Sequence, residues 1–201
     1  MDKMTFKSIK NNQNGIMLVE LIIVIALLAI ILTVGYMYFD FGVQAFERGE
    51  RRSIAQTTSR LTSDFIKTEI RFAKEIMINP DITINNDGSI SESGDYKYIY
   101  LDDNPDSPYT DSLLFQDEEG NTRVLADSRA DDMPYVIRFD SNIPDDVVIY
   151  EIEADNGLYY LNTRIQALNI RLYRDRPQSG ELIEINAPNG DYTIIKYKHP
   201  E

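Results

Sequence analysis

The feature that most constrains this chain is an unbroken apolar run, Ile16 to Phe39, whose only charged side chain is Glu20. As a helix its 24 residues span about 36 Å at 1.5 Å per residue, enough for a hydrocarbon core of roughly 30 Å. Tyr36, Tyr38 and Phe39 close the run, where interfacial aromatics are expected. A cleaved secretory signal would be shorter and end at small residues. Here the run passes into more helix-compatible sequence. No Pro occurs between residues 16 and 79. Ile54, Thr58, Leu61, Phe65, Thr68, Phe72 and Ile76 recur at steps of four and three, one stripe of an amphipathic helix, widened by Ile66, Ile70, Ala73 and Met77. Asn79-Pro80 is the expected stop. The reading is one helix from about residue 16 to 78: a membrane span over 16–39 and an amphipathic extension over 40–78.

Beyond Pro80 the pattern changes to short strands and turns. Strands are expected at 96–101, 112–116, 122–126, 135–140, 147–153, 158–166, 170–173, 181–185 and 192–198. Ala154-Asp155-Asn156-Gly157 is a strong hairpin signal. The expected fold class is α+β: a long helix whose striped half covers one face of a mainly antiparallel sheet of seven to nine strands. Residues 79–201 form the sheet-bearing domain.

Charge divides along the same boundaries. Residues 1–15 hold three Lys and one Asp; residues 16–78 hold seven basic and seven acidic side chains; residues 79–201 hold ten basic and 25 acidic ones. The net charge of −13 therefore sits in the C-terminal part, which would repel phosphates and makes nucleic acid an improbable partner. Cys is absent and the one His, His199, lies near the end. That removes disulfides, thiol nucleophiles and most His-based metal or triad chemistry. No G-x-S-x-G or phosphate-loop motif occurs. The chain reads as a non-enzyme without a cofactor.

The segment Asn14-Gly15-Ile16-Met17-Leu18-Val19-Glu20 then stands out. A Lys-bearing leader ends in Gly, an apolar helix begins, and its fifth residue is Glu. This resembles the N-terminus of the type IV prepilin and pseudopilin family. The resemblance implies a leader over 1–15, cleavage between Gly15 and Ile16 by a prepilin peptidase, and methylation of the new Ile16 amine. It also implies pairing of that amine with Glu20 during assembly. Physically, a carboxylate within a membrane helix costs roughly 2.5–3.5 kcal/mol at the helix centre and less near its end, so a counter-charge is expected; the plainer alternative is a signal anchor whose Glu reaches the interface. Ile16 stands where Phe or Met is more usual in the family. Ala29 and Met37 stand where major pilins often carry Gly and Pro, which implies a regular membrane helix.

Lys3, Lys7 and Lys10 precede the span and Arg48, Arg51 and Arg52 follow it, so charge alone sets no orientation. The family implies a single-pass protein of the cell membrane, with a cytoplasmic N-terminus and an extracytoplasmic C-terminal domain that reaches the cell surface after assembly. Glu47-Arg48-Gly49-Glu50-Arg51-Arg52, Leu61-Thr62-Ser63-Asp64-Phe65 and Arg71-Phe72-Ala73 resemble J-type pseudopilins and W-type minor pilins. The implied partners are other pilin subunits, an assembly platform protein and the membrane, in a pilus, competence or secretion machine. The charged cluster has a simpler reading as a solvated helix face with a Glu47–Arg51 pair at i,i+4.

Other candidates are weaker. Asp102, Asn104 and Asp106 alternate like the start of a calcium loop, but Ser107 and Leu113 stand where an EF-hand needs Gly and Glu; a solvated turn is the simpler reading. Asp117-Glu118-Glu119, Asp131-Asp132 and Asp145-Asp146 read as loop charges. Tyr96, Tyr98, Tyr100, Tyr159 and Tyr160 fit sheet packing better than an adhesive surface. Arg164, Arg171, Arg174 and Arg176 are the only basic concentration in this part. The alternative from another class is a membrane-anchored adhesin or sensor that never polymerises.

Overall fold

The computed structural model describes residues 13–78, 82–91, 94–142, 147–168, 183–185 and 193–200. The chain forms two units, Met1–Glu50 and Arg51–Glu201. Helix α1 (Gln13–Arg71) supplies the described part of the first unit and the opening element of the second. Among the described residues nine strands follow: β1 (Glu75–Ile78), β2 (Lys97–Leu101), β3 (Leu113–Gln116), β4 (Thr122–Ala126), β5 (Tyr135–Asn142), β6 (Val147–Ala154), β7 (Tyr159–Gln166), β8 (Ile183–Ile185) and β9 (Ile194–Lys198). The fold is α+β, as expected.

The helix ends seven residues before the expected stop. Ala73 N–H reaches back only three residues, to the Ile70 carbonyl (3.2 Å), and Lys74 N–H already donates to the Lys198 carbonyl (2.8 Å). Residues 75–78 are strand β1, not helix. The spacing misled because a step of four from Phe72 to Ile76 is also twice the strand period. Ile76 and Ile78 are buried and alternate with half-buried Glu75 and Met77. β1 lies between β9, antiparallel, and β8, parallel, so sheet pairing on both sides overrides the helical pattern.

The strands form two sheets instead of one. The first has the order β4-β3-β2-β9-β1-β8, the second β5-β6-β7. The second sheet is an antiparallel meander of three consecutive strands. Its β6–β7 turn carries Asp155, Asn156 and Gly157 at φ of 53°, 52° and 90°, the left-handed backbone that the Asp-Asn-Gly sequence favours. The expected strand at 170–173 lies outside the described residues.

The second unit's part of α1 buries the widened edge of the expected stripe, with Ile66, Ile70 and, just past the helix end, Ala73 fully buried and Ile54 and Phe65 half-buried against the core, and extends it to small and hydroxyl residues. Ala55, Ser59, Thr62, Ser63, Ile66 and Ile70 are buried, whereas Leu61 is 67% and Phe72 50% exposed. Two hydroxyls on this face find partners: Thr62 Oγ1 donates to the Leu125 carbonyl (3.2 Å), and Ser63 Oγ lies 2.7 Å from the Tyr150 hydroxyl. Tyr150 donates to the Ser63 carbonyl (3.0 Å), so Ser63 Oγ is the donor of the first bond. Ser59, Thr62 and Ser63 do not register as apolar, so the hydrophobic pattern centres the stripe toward Leu61 and Phe72.

The main core unites α1 with both sheets: Ile66 and Ile70 pack with Ile76, Ile99 and Ile195 of the first sheet and Ile137, Phe139 and Ile152 of the second. Each such side chain contributes about 1.5–3 kcal/mol by leaving water. A smaller cluster lies elsewhere in the first sheet, where Tyr98, Tyr100, Leu114 and Ile194 pack with Ile90, Ile82 and Ile84. The Gln116 side chain holds that covering segment as a strand would: its Oε1 accepts from Ile90 N–H (2.7 Å) and its Nε2 donates to the Ile90 carbonyl (3.1 Å).

Candidate assembly segment and acidic loops

Gly15 and Ile16 lie within α1, whose first residue is Gln13. The leader residues 1–12 lie outside the described ones. From Leu18 to Glu50 every side chain is exposed, the large apolar ones included. Leu18 to Phe39 would reach about 33 Å as a helix. This segment is long and apolar enough to cross a membrane. A helix apolar on all sides needs lipid or other helices around it, and a helix satisfies its own backbone polar groups in lipid. The Thr33 hydroxyl is likewise satisfied, donating to the Ala29 carbonyl (2.8 Å). Glu20 is exposed on this otherwise apolar segment, one turn beyond Ile16.

In the charged cluster, Arg51 does not make the expected pair with Glu47. Its guanidinium grips the β6–β7 turn: Nε donates to Asp155 Oδ2 and Nη2 to Asp155 Oδ1, both at 2.9 Å. Nη2 also donates to the Asp132 carbonyl (2.9 Å). The two-pronged pair suits the planar fork of Arg, and the Asp155 carboxylate raises the already high Arg51 pKa. A partner over 100 positions away leaves no local signal, so sequence reasoning missed this clamp.

The candidate calcium loop spends its oxygens on itself. Asp102 is buried. Its Oδ1 accepts from Asn104 N–H (3.1 Å) and its Oδ2 from the Ser107 hydroxyl. Asn104 Oδ1 accepts from Asp106 N–H (3.0 Å). Alternating Asx residues therefore build successive turns here. Gly88 packs against this loop: a Cβ there would stand 2.8 Å from the Tyr109 ring and 3.1 Å from Asp102 Oδ2. Asp117 does similar work in the β3–β4 turn, where bonds from Asn121 hold its carboxyl below the usual range. Asp131 accepts from the Tyr135 hydroxyl. Asp145 and Asp146 lie outside the described residues. Among the described residues no three His, Cys, Asp or Glu side chains gather as a metal site would require.

Tyr98 and Tyr100 are buried packing residues, and Tyr96 donates to Glu75 Oε1 (2.9 Å). Tyr160 is exposed. Arg164 is exposed on β7, and Arg171, Arg174 and Arg176 lie outside the described residues. His199 has a structural place: Nε2 donates to the Glu69 carbonyl in the last turn of α1 (2.8 Å). Tyr197 donates to Glu69 Oε2 (2.9 Å), and Lys97 lies 3.6 Å from the same oxygen. Burial first, and the Glu69 charge second, push the Tyr197 phenol far up. The cluster ties β9 and β2 to the helix end.

Compared with known proteins, the chain matches no family model, and no curated protein or solved structure is significantly similar to it. What stands from sequence and structure together is an α+β chain with, among the described residues, one helix long and apolar enough to span a membrane.

Proposed function

We propose that the chain is a minor pilin or pseudopilin. It is made as a precursor, cut between Gly15 and Ile16 by a prepilin peptidase, and methylated on the Ile16 amine. It is held in the cell membrane as a single pass with a cytoplasmic N-terminus. Through its N-terminal helix and an assembly platform protein it joins other pilin subunits in a pilus, competence or secretion filament, in the tip or initiation complex.

The observation that carries this reading is Glu20, the one charge on a helical segment apolar all round, one turn beyond a Gly15–Ile16 bond. In hydrocarbon such a carboxylate calls for a cation, and cleavage at that bond would create one. A pair formed between two subunits sets their axial register, the best-attested use of a buried charge. The work so described is assembly and involves no turnover.

Mass spectrometry of the protein from cells that process prepilins tests it. The expected product begins at Ile16 and carries one methyl group. Replacing Gly15 should leave the leader in place, and Glu20→Val should permit cleavage while blocking incorporation. An intact leader in processing-competent cells would overturn the proposal in favour of an anchored adhesin or sensor.

A further inference from the structure

In the second unit, the face of α1 turned away from the sheets is exposed along its length: Arg60, Leu61, Asp64, Thr68 and Arg71 all lie on it. With half-buried Lys67 it carries three cations and one carboxylate, Asp64, which pairs with Lys67 at 3.2 Å. Leu61 adds a large exposed apolar side chain. This cationic, partly apolar strip stands out on a chain whose residues after 78 are strongly acidic.

The complementary surface is on the same chain. The loops 85–88, 102–111 and 127–133 and the β6–β7 turn meet at one end of the second unit. Asn104 bonds Ile84 and Asn86. Tyr135 N–H donates to the Asp111 carbonyl, and Asp155 N–H to the Pro134 carbonyl. These loops hold one, four, three and one aspartates respectively, and Arg129 is their only cation; Arg51 is bound to Asp155 beside them. Asp103, Asp106 and Asp132 are exposed.

We propose that the outward face of α1 docks the aspartate-rich loop end of a second copy of this chain. The two surfaces are different patches of one molecule, so the contact is heterologous. Opposite charge sets orientation and speeds encounter, and Leu61 supplies an apolar anchor. The inference rests on the assembly reading above, and names which surfaces meet beyond the membrane helix.

Because the chain has no cysteine, full-length copies with single introduced cysteines can be mixed in membranes. Two differently tagged copies, one Arg60→Cys and one Asp106→Cys, are treated with a short bis-maleimide. The expected heterotypic cross-link is about fivefold stronger than with Gln166→Cys on β7 and fades as salt rises. Arg60→Glu with Arg71→Glu, introduced beside a Leu61→Cys probe, should remove it, and Asp103→Lys with Asp132→Lys in the Asp106→Cys copy should restore it. Equal cross-linking to both positions, or indifference to the charge reversals, overturns the inference. A Leu27→Cys self-cross-link reports helix association separately. If it forms while the Arg60–Asp106 pair fails, only this inference falls. If both fail, this inference falls and cleavage at Gly15 decides the assembly reading.

Discussion

Ser59 and Ser63 sit one turn apart on the buried face of α1, and substituting each by Ala should shift stability in opposite directions. Ser59 Oγ is fully buried with no hydrogen-bond partner among the described residues. Leaving such a group unsatisfied costs about 1–3 kcal/mol. Ser59→Ala removes that cost and adds roughly 0.5 kcal/mol of helix propensity, against a small loss of packing where one oxygen disappears. The expected net gain is about 1–2 kcal/mol. Ser63→Ala instead loses the bond from Ser63 Oγ to Tyr150 (2.7 Å), while Tyr150 keeps its bond to the Ser63 carbonyl. One net hydrogen bond, about 0.5–1.5 kcal/mol, exceeds the same propensity gain, so a loss of up to about 1 kcal/mol is expected. For a domain of this size each kcal/mol moves Tm by about 2–4 °C. Thermal unfolding of the full chain in detergent, followed by the near-ultraviolet signal of its tyrosines, reads both. A lower Tm for Ser59→Ala, or shifts of the same sign for both variants, would refute the account of this face.

Gly88→Ala should destabilise by roughly 1–3 kcal/mol, since it combines a left-handed φ of 81° with a Cβ 2.8 Å from the Tyr109 ring. Gly120→Ala, at φ 87° in open space, serves as the control, and equal midpoints in denaturant would show that the contact with Tyr109 is immaterial. Burial raises the phenol pKa of Tyr100, Tyr135 and Tyr197. A raised pKa means stability that is whole below the ordinary tyrosine value of about 10 and lost as pH climbs toward the folded-state values. Absorbance of the ionised phenol should therefore show these three, and Tyr150, which burial also raises, titrating late and together with unfolding. Reversible titration of all 13 near pH 10 in folded protein would contradict this burial.

What could be read without coordinates was local. The apolar run needs no partner to be recognised, because length and composition alone decide whether a helix can span lipid. The Asp-Asn-Gly turn, and strands such as β4 and β6, follow from backbone preferences and alternation within a few residues. The spacing of Gly15, Ile16 and Glu20 is local in the same sense, since one helix carries all three. The tertiary structure decided whatever depends on distant neighbours. β1 replaces the expected last turns of α1 because β9 and β8 pair with it from more than 100 positions away. Ser59, Thr62 and Ser63 face inward because two sheets approach that side, and their polarity hides it from a hydrophobic count. Arg51 leaves its helical neighbour for Asp155 because the second sheet brings that turn within 2.9 Å. Local periodicity records what a segment is able to bury; only the packed neighbours determine which side it buries and where the element stops.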